Sequence, residues 1–185
     1  TPDGKTLFVA HLIPGGASDR DYVAAEVSVI DTTTKKLEKS IQLPNGSTGL
    51  RDVCVSPDGK FAYVTHVLAR YQLPTTQLER GWMNTNALTI IDATQKKLIN
   101  TVLLDDVDLG GANPWGVRCT ADGKHICVAH AGTHQISVID SEKLHDKLAR
   151  AAAGEKVSDA TSSYDDVPND LSFLVGLRRR INLSG

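Results

Sequence analysis

Cysteine is scarce, with three residues in 185, and nothing in their spacing resembles a zinc knuckle or a C-x-x-C-H heme-attachment motif. Charge of one sign is also missing. The formal net charge is −2, with 20 basic and 22 acidic side chains. There is therefore no basic excess to recruit nucleic acid and no acidic block to keep a tail unfolded. No apolar run approaches the roughly 18 residues of a membrane-spanning helix. No G-x-S-x-G elbow and no Ser-His-Asp order can be recognised, so the usual hydrolase signatures are absent. The chain opens at Thr1 directly on a turn motif with no methionine before it. The native N-terminus is therefore expected upstream, and the lack of a targeting segment excludes nothing.

What is present is repetition. Three segments align: TPDGKTLFVAH (Thr1 to His11), SPDGKFAYVTH (Ser56 to His66) and TADGKHICVAH (Thr120 to His130). Each reads as a tight turn with glycine in the left-handed position, followed by an alternating strand. A second motif follows each: EVSVIDTTTKKLEKSIQL from Glu26, ALTIIDATQKKLINTVLL from Ala87 and QISVIDSEKL from Gln135. The first two are hairpins whose third-strand aspartates, Asp31 and Asp92, like Asp140 in the last motif, are expected to cap the following turn through backbone N–H groups. One further short strand precedes the second and third turns, in LRDVCVS (Leu50 to Ser56) and WGVRCT (Trp115 to Thr120).

Each unit is thus four consecutive antiparallel strands, and such a small sheet cannot bury both faces alone. The expected fold is all-β: a β-propeller of four-stranded antiparallel blades, about three of them here and about seven in the complete ring. Blade 1 covers residues 1–50 without its inner strand, blade 2 covers 51–114, and blade 3 covers 115–185 with a helical insertion at 141–177. In that insertion SEKLHDKLARAAAG predicts an amphipathic helix capped by Ser141, with Leu144 and Leu148 on one face and Gly154 at its end. A polar loop should follow, then a short helix from Pro168 and an outer strand from Arg178 to Ser184. The helix is expected to pack on its own blade, with docking to another domain as the alternative.

The segments PDGKFAYVTH and NALTIIDATQKKLINTV resemble the YVTN-type β-propeller repeat family. That family includes lactonase-like and surface-layer propellers, and propeller domains or subunits of periplasmic multiheme redox enzymes. RGWMNTNALTIID, NPWGV and AHAGTHQISVID are similar to stretches of bacterial secreted propellers, some fused to a cytochrome c-type domain. The family's Tyr-Val-Thr-Asn ends in asparagine, whereas here the last position is His11, His66 and His130. The resemblance implies a periplasmic or extracellular location. It also implies partners: the rest of the propeller from the same or another chain, and a cytochrome c-type domain or subunit. No cofactor is expected in this chain, and heme c would belong to that associated domain.

Candidate ligand- or partner-binding residues fall on one face, the top, opposite the Asp-Gly turns. They are His11, His66, His130 and His134, Arg51, Arg70, Arg80, Trp82 and Trp115, with Tyr71, Asn84 and Asn86 in the same long loop as Arg70. Long loops without structure of their own are usually functional, and arginine and aromatic anchors are what interfaces favour. The three repeated histidines are read first as structural, bonding a neighbouring blade's backbone, and alternatively as a site near the channel mouth. His130 and His134 span a tight loop and form the one weak metal candidate. Asp105, Asp106 and Asp108 read as solvated loop acids, with calcium as the alternative. Cys119 and Cys127 are expected on one face of a hairpin, as buried free thiols or a disulfide. Three functions remain open: a non-catalytic binding or scaffold propeller of an exported protein, a propeller domain or subunit of a multiheme redox enzyme, and a lactonase-like hydrolase.

Overall fold

A computed structural model describes residues 1–69 and 83–183. Among the described residues eleven strands form three antiparallel sheets, each built from consecutive strands. The first holds β1 (Thr6–Ala10), β2 (Glu26–Asp31) and β3 (Lys36–Gln42), with β1 at its edge. The second holds β4 (Ser47–Val55), β5 (Phe61–Ala69), β6 (Asn84–Asp92) and β7 (Lys97–Leu103). The third holds β8 (Pro114–Cys119), β9 (His125–His130), β10 (Gln135–Asp140) and β11 (Arg178–Asn182). This is the sheet arrangement of propeller blades.

The turns repeat atom for atom. Thr1, Ser56 and Thr120 each donate a hydroxyl to Asp3, Asp58 and Asp122 at 2.5–2.6 Å. Each of those carboxylates also accepts the amide of the lysine two residues on. Gly4, Gly59 and Gly123 sit at φ of 70°, 74° and 71°, a region where glycine carries no Cβ penalty. Asp31 accepts the amides of Thr33 and Thr34, and Asp92 those of Thr94 and Gln95. Asp140 performs the same task for a helix, accepting from Lys143 N at 3.1 Å. The N-cap is therefore Asp140, and Ser141 is the first helical residue.

Strand parity decides the core. In β5 the even residues Ala62 and Val64 join Phe8, Val27, Val29, Ile41 and Leu43 in one cluster between the first two sheets. Its odd residue Tyr63 faces the other way, joining Leu88 and Ile90 with Val117, Ile126, Val128 and Ile139 of the third sheet. Each fully buried side chain of this size stabilises the fold by about 1.5–3 kcal/mol. Among the described residues nothing covers the other face of the first sheet, where Leu7, Val9 and Leu37 are exposed.

The insertion begins with α1 (Ser141–Ala152), whose Leu144, Leu148 and Ala151 enter the same core as Tyr63. Gly154 ends it at φ 85°. The next helical turn is a 3-10 helix over Tyr164–Asn169, with Pro168 near its end rather than its start. Proline cannot donate a backbone hydrogen bond, and at this place it closes the short helix. The intervening stretch is tied down: Thr161 and Asp170 are buried and bonded to each other. The insertion spans two blades. His145 accepts or donates at 2.7 Å to Tyr63 Oη and stacks on Phe61, while Tyr164 donates to Ile99 O and accepts Asn100 Nδ2 through its own carbonyl. No helix among the described residues is long and apolar enough to cross a membrane.

Candidate functional site

The repeated histidines share one geometry. His11 Nε2 lies 2.8 Å from Ser28 Oγ, His66 Nε2 2.7 Å from Thr89 Oγ1, and His130 Nε2 2.8 Å from Ser137 Oγ. Each hydroxyl belongs to the third strand of the same blade, three residues before the capping aspartate. The register explains this: His66 pairs with Ala87 and Val64 with Thr89, so histidine and hydroxyl are diagonal neighbours on one face. The bond thus runs within a blade to a side chain, whereas the sequence suggested a neighbouring blade's backbone.

His66 and His130 are buried, 0% and 1% exposed. Their Nδ1 atoms lie 3.2 Å from the carbonyls of Val67 and Gly111. A carbonyl only accepts, so Nδ1 carries the proton and Nε2 accepts from the hydroxyl. Thr101 extends the His66 chain, 2.7 Å from Thr89 Oγ1. Both ring nitrogens of His66 and His130 are thereby bonded within the fold, and the one lone pair a metal would need, on Nε2, is already accepting a hydroxyl. Burial pulls the pKa of His66 and His130 down to about 4, and does the same to His145 on α1.

A pH dependence follows. In the unfolded chain these rings take up protons near pH 6.5. In the native state they do so only near pH 4. Their contribution is complete above pH 6.5 and is lost as pH falls toward 4, because the unfolded state then binds more protons. Urea midpoints should therefore drop from pH 7 to pH 5. The double variant His66→Asn/His130→Asn, which keeps a polar partner for each hydroxyl, should flatten that slope by up to two protons. An unchanged slope would show that neither ring is buried neutral.

His134 occupies the tight turn at φ 51° and is exposed, whereas His130 is buried. Among the described residues no three His, Cys, Asp or Glu side chains are grouped to hold a metal. Arg51 and Trp115 do meet: the guanidinium lies 4.6 Å from the Trp115 ring centroid, and Trp115 is 51% exposed. Arg118 completes this inner surface, its guanidinium paired to Asp52, and Asp52 also accepts Val117 N at 3.0 Å. Arg70, Tyr71, Arg80 and Trp82 lie outside the described residues. Asn84 is exposed, but Asn86 is buried and donates through both N and Nδ2 to Asp105.

That carboxylate is the main departure from the expected solvated acids. Asp105 is 1% exposed and also accepts Gly111 N. Asp106 pairs with Arg178 and Arg180, and the same guanidiniums donate to the carbonyls of Leu104, Leu109 and Gly110. The acidic loop is thus an internal clasp between the second and third sheets, fed by β11. Asp108 alone of the three is exposed.

Sequence reasoning missed the apolar character of the top. Leu12 and Ile13 follow β1, Met83 precedes β6, and Val107 and Leu109 precede β8; all are exposed. The only available signal was that each sits in a connection on the same side of the sheets as Trp115. Exposed apolar groups of this kind mark interaction surfaces when they gather.

No protein-family model matches the chain. It is 33% identical over 144 residues to hydrazine synthase subunit beta of Kuenenia stuttgartiensis, covering 78% of this chain and 36% of that protein. It superimposes on a chain in the solved structure of Kuenenia stuttgartiensis hydrazine synthase with a TM-score of 0.78 and 27% identity, covering 98% of this chain and 48% of the other. A weaker likeness, TM-score 0.51 at 17% identity over 76% of this chain and 24% of the other, is to the dihydro-heme d1 dehydrogenase NirN in complex with DHE, and shows fold alone. The chain spans about a third of the curated relative and about half of the matched structural chain. Its three consecutive antiparallel sheets and these likenesses together are those of a propeller-type fold.

Proposed function

We propose that the chain is a stretch of the propeller of a redox-enzyme subunit, that this stretch attaches no heme, and that it serves as the docking scaffold for a cytochrome c-type partner. The observation that carries this reading is the likeness to hydrazine synthase, over nearly the whole chain in structure and at 33% identity to its beta subunit in sequence. The residues of this chain do not suit a covalently held heme. There is no C-x-x-C-H, and His66 and His130 have both ring nitrogens bonded within the fold. The top face suits a partner instead: the stacked Arg51 and Trp115, the exposed His134, and the apolar Leu12, Ile13, Met83, Val107 and Leu109.

The ring would be of YVTN type with about seven blades, and its remaining blades would cover the open face of the first sheet, where Leu7 and Val9 stand exposed. Residues 1–50, 51–114 and 115–185 would be three blades of one propeller domain in an exported protein, periplasmic or extracellular. Native purification of the full-length protein tests the proposal. A Soret band should co-elute with it and separate from it when the complex is dissociated. Trp115→Glu should weaken that association at least about tenfold, as loss of a central aromatic anchor does. Native protein free of heme at every step would instead favour an exported scaffold propeller with a non-redox ligand.

A further inference from the structure

The inner strands carry two free thiols whose sulfurs lie 4.0 Å apart, Cys54 near the end of β4 and Cys119 at the end of β8. They belong to different sheets. Cys127, the partner suggested by sequence, is elsewhere: Cys119 pairs with Ile126 and Arg118 with Cys127, so Cys119 and Cys127 point to opposite faces of their hairpin. The backbones around the two thiols are already bound together. Asp52 on β4 accepts Val117 N and the guanidinium of Arg118 on β8. Both cysteines are partly exposed, so a small oxidant or an enzyme can reach them from the inner surface.

We propose that Cys54 and Cys119 are a disulfide-forming site that ties the second and third blades together across their inner strands. A disulfide needs its sulfurs at about 2.05 Å, a closure that side-chain rotation supplies when two strands are held side by side. Cys54 is the attacking group. The neighbouring Cys119 thiol and the nearby Arg118 guanidinium lower its pKa to about 6, while Cys119 is raised by the same contact. The thiolate, not the thiol, is the nucleophile. The oxidant is a disulfide compound, either low-molecular-weight or the active disulfide of a thiol–disulfide oxidoreductase. Cys54 sulfur attacks one of its sulfurs, forming a mixed disulfide and releasing one thiol. Cys119 sulfur then attacks Cys54 sulfur and releases the second thiol. Two electrons pass to the oxidant, and the two protons lost by the cysteines end on its two thiols.

The test is thiol trapping and mass spectrometry on the full-length protein, equilibrated in buffers of oxidised and reduced glutathione. The expected product is the intact chain lighter by two hydrogens, with Cys54 and Cys119 in one linked peptide and Cys127 still alkylated. Oxidation should raise the unfolding temperature by about 5–10 °C, since the bond closes a 65-residue loop. Cys54→Ser and Cys119→Ser should each abolish both the link and the shift, and Cys127→Ser should preserve both. If Cys54 and Cys119 stay alkylatable under fully oxidising conditions, or if a link forms through Cys127, the proposal is wrong. A linked pair with no change in unfolding temperature would also overturn it, because the bond would then not join the two blades.

Discussion

Replacing Asp105 with alanine is expected to cost about 3–5 kcal/mol of stability, the range found when a buried ionic network loses one member. The carboxylate accepts three N–H groups, from Asn86 twice and from Gly111. Alanine supplies no acceptor, and each donor left dry and unpaired costs about 1–3 kcal/mol. The loss would spread. Gly111 also presents its carbonyl to His130, and Arg178 is attracted to Asp105 while it holds Asp106 and the Leu104 carbonyl. Asp105→Asn should be milder, since it keeps one acceptor. Asp105→Ala and His130→Ala should be less than additive, because both release the same Gly111 segment. Urea unfolding followed by circular dichroism checks this, and a cost below about 1 kcal/mol for Asp105→Ala would show that the loop is held by other contacts.

Gly46→Ala should be comparably severe, about 3 kcal/mol or more. Gly46 stands at φ 88° where the chain passes from the first sheet to the second, and its N–H donates to Val23 O while its own carbonyl accepts Ala69 N. A Cβ there would lie 2.1 Å from the Ala69 carbonyl oxygen, with the Ala69 carbonyl carbon and amide nitrogen next at 3.1 and 3.4 Å. The left-handed conformation alone costs a residue with a side chain about 1–2 kcal/mol, and the clash adds to it because no flexible side chain can move aside. Gly4→Ala is the informative control. Its φ of 70° carries the same conformational cost, but nothing lies within 4 Å of the added methyl. If the two variants lose equal stability, the close approach at Ala69 contributes nothing. Hydrogen exchange at Ala69 N should accelerate in Gly46→Ala and not in Gly4→Ala.

These two positions divide what could be read directly from what could not. The Asp-Gly turns, the capping aspartates Asp31, Asp92 and Asp140, and the alternation of β5 were legible because their bonds run between residues two to five apart. Local sequence specifies local hydrogen bonds, and a repeat states them three times. The same holds for α1, whose apolar face was visible at Leu144 and Leu148. Gly46 was not legible, since its constraint comes from Ala69, a residue 23 positions on.

By itself, then, the sequence determined the strand order, the turn chemistry and the blade repeat. Only the tertiary structure decided what the polar side chains do. His11, His66 and His130 were read first as bonding a neighbouring blade's backbone, yet each bonds a hydroxyl one strand away, because register places histidine and Ser28, Thr89 or Ser137 diagonally on one face. Asp105 and Asn86 resembled exposed loop residues, but the fold buries them against each other while Arg178 and Arg180 of β11 hold the neighbouring Asp106. Cys119 met Cys54 rather than the nearer Cys127, because sheets stacked side by side bring together strands 65 residues apart. The reason is the same each time: a blade's internal pairing is encoded in neighbouring residues, but burial and partnership of its polar groups depend on which blade comes to lie against it.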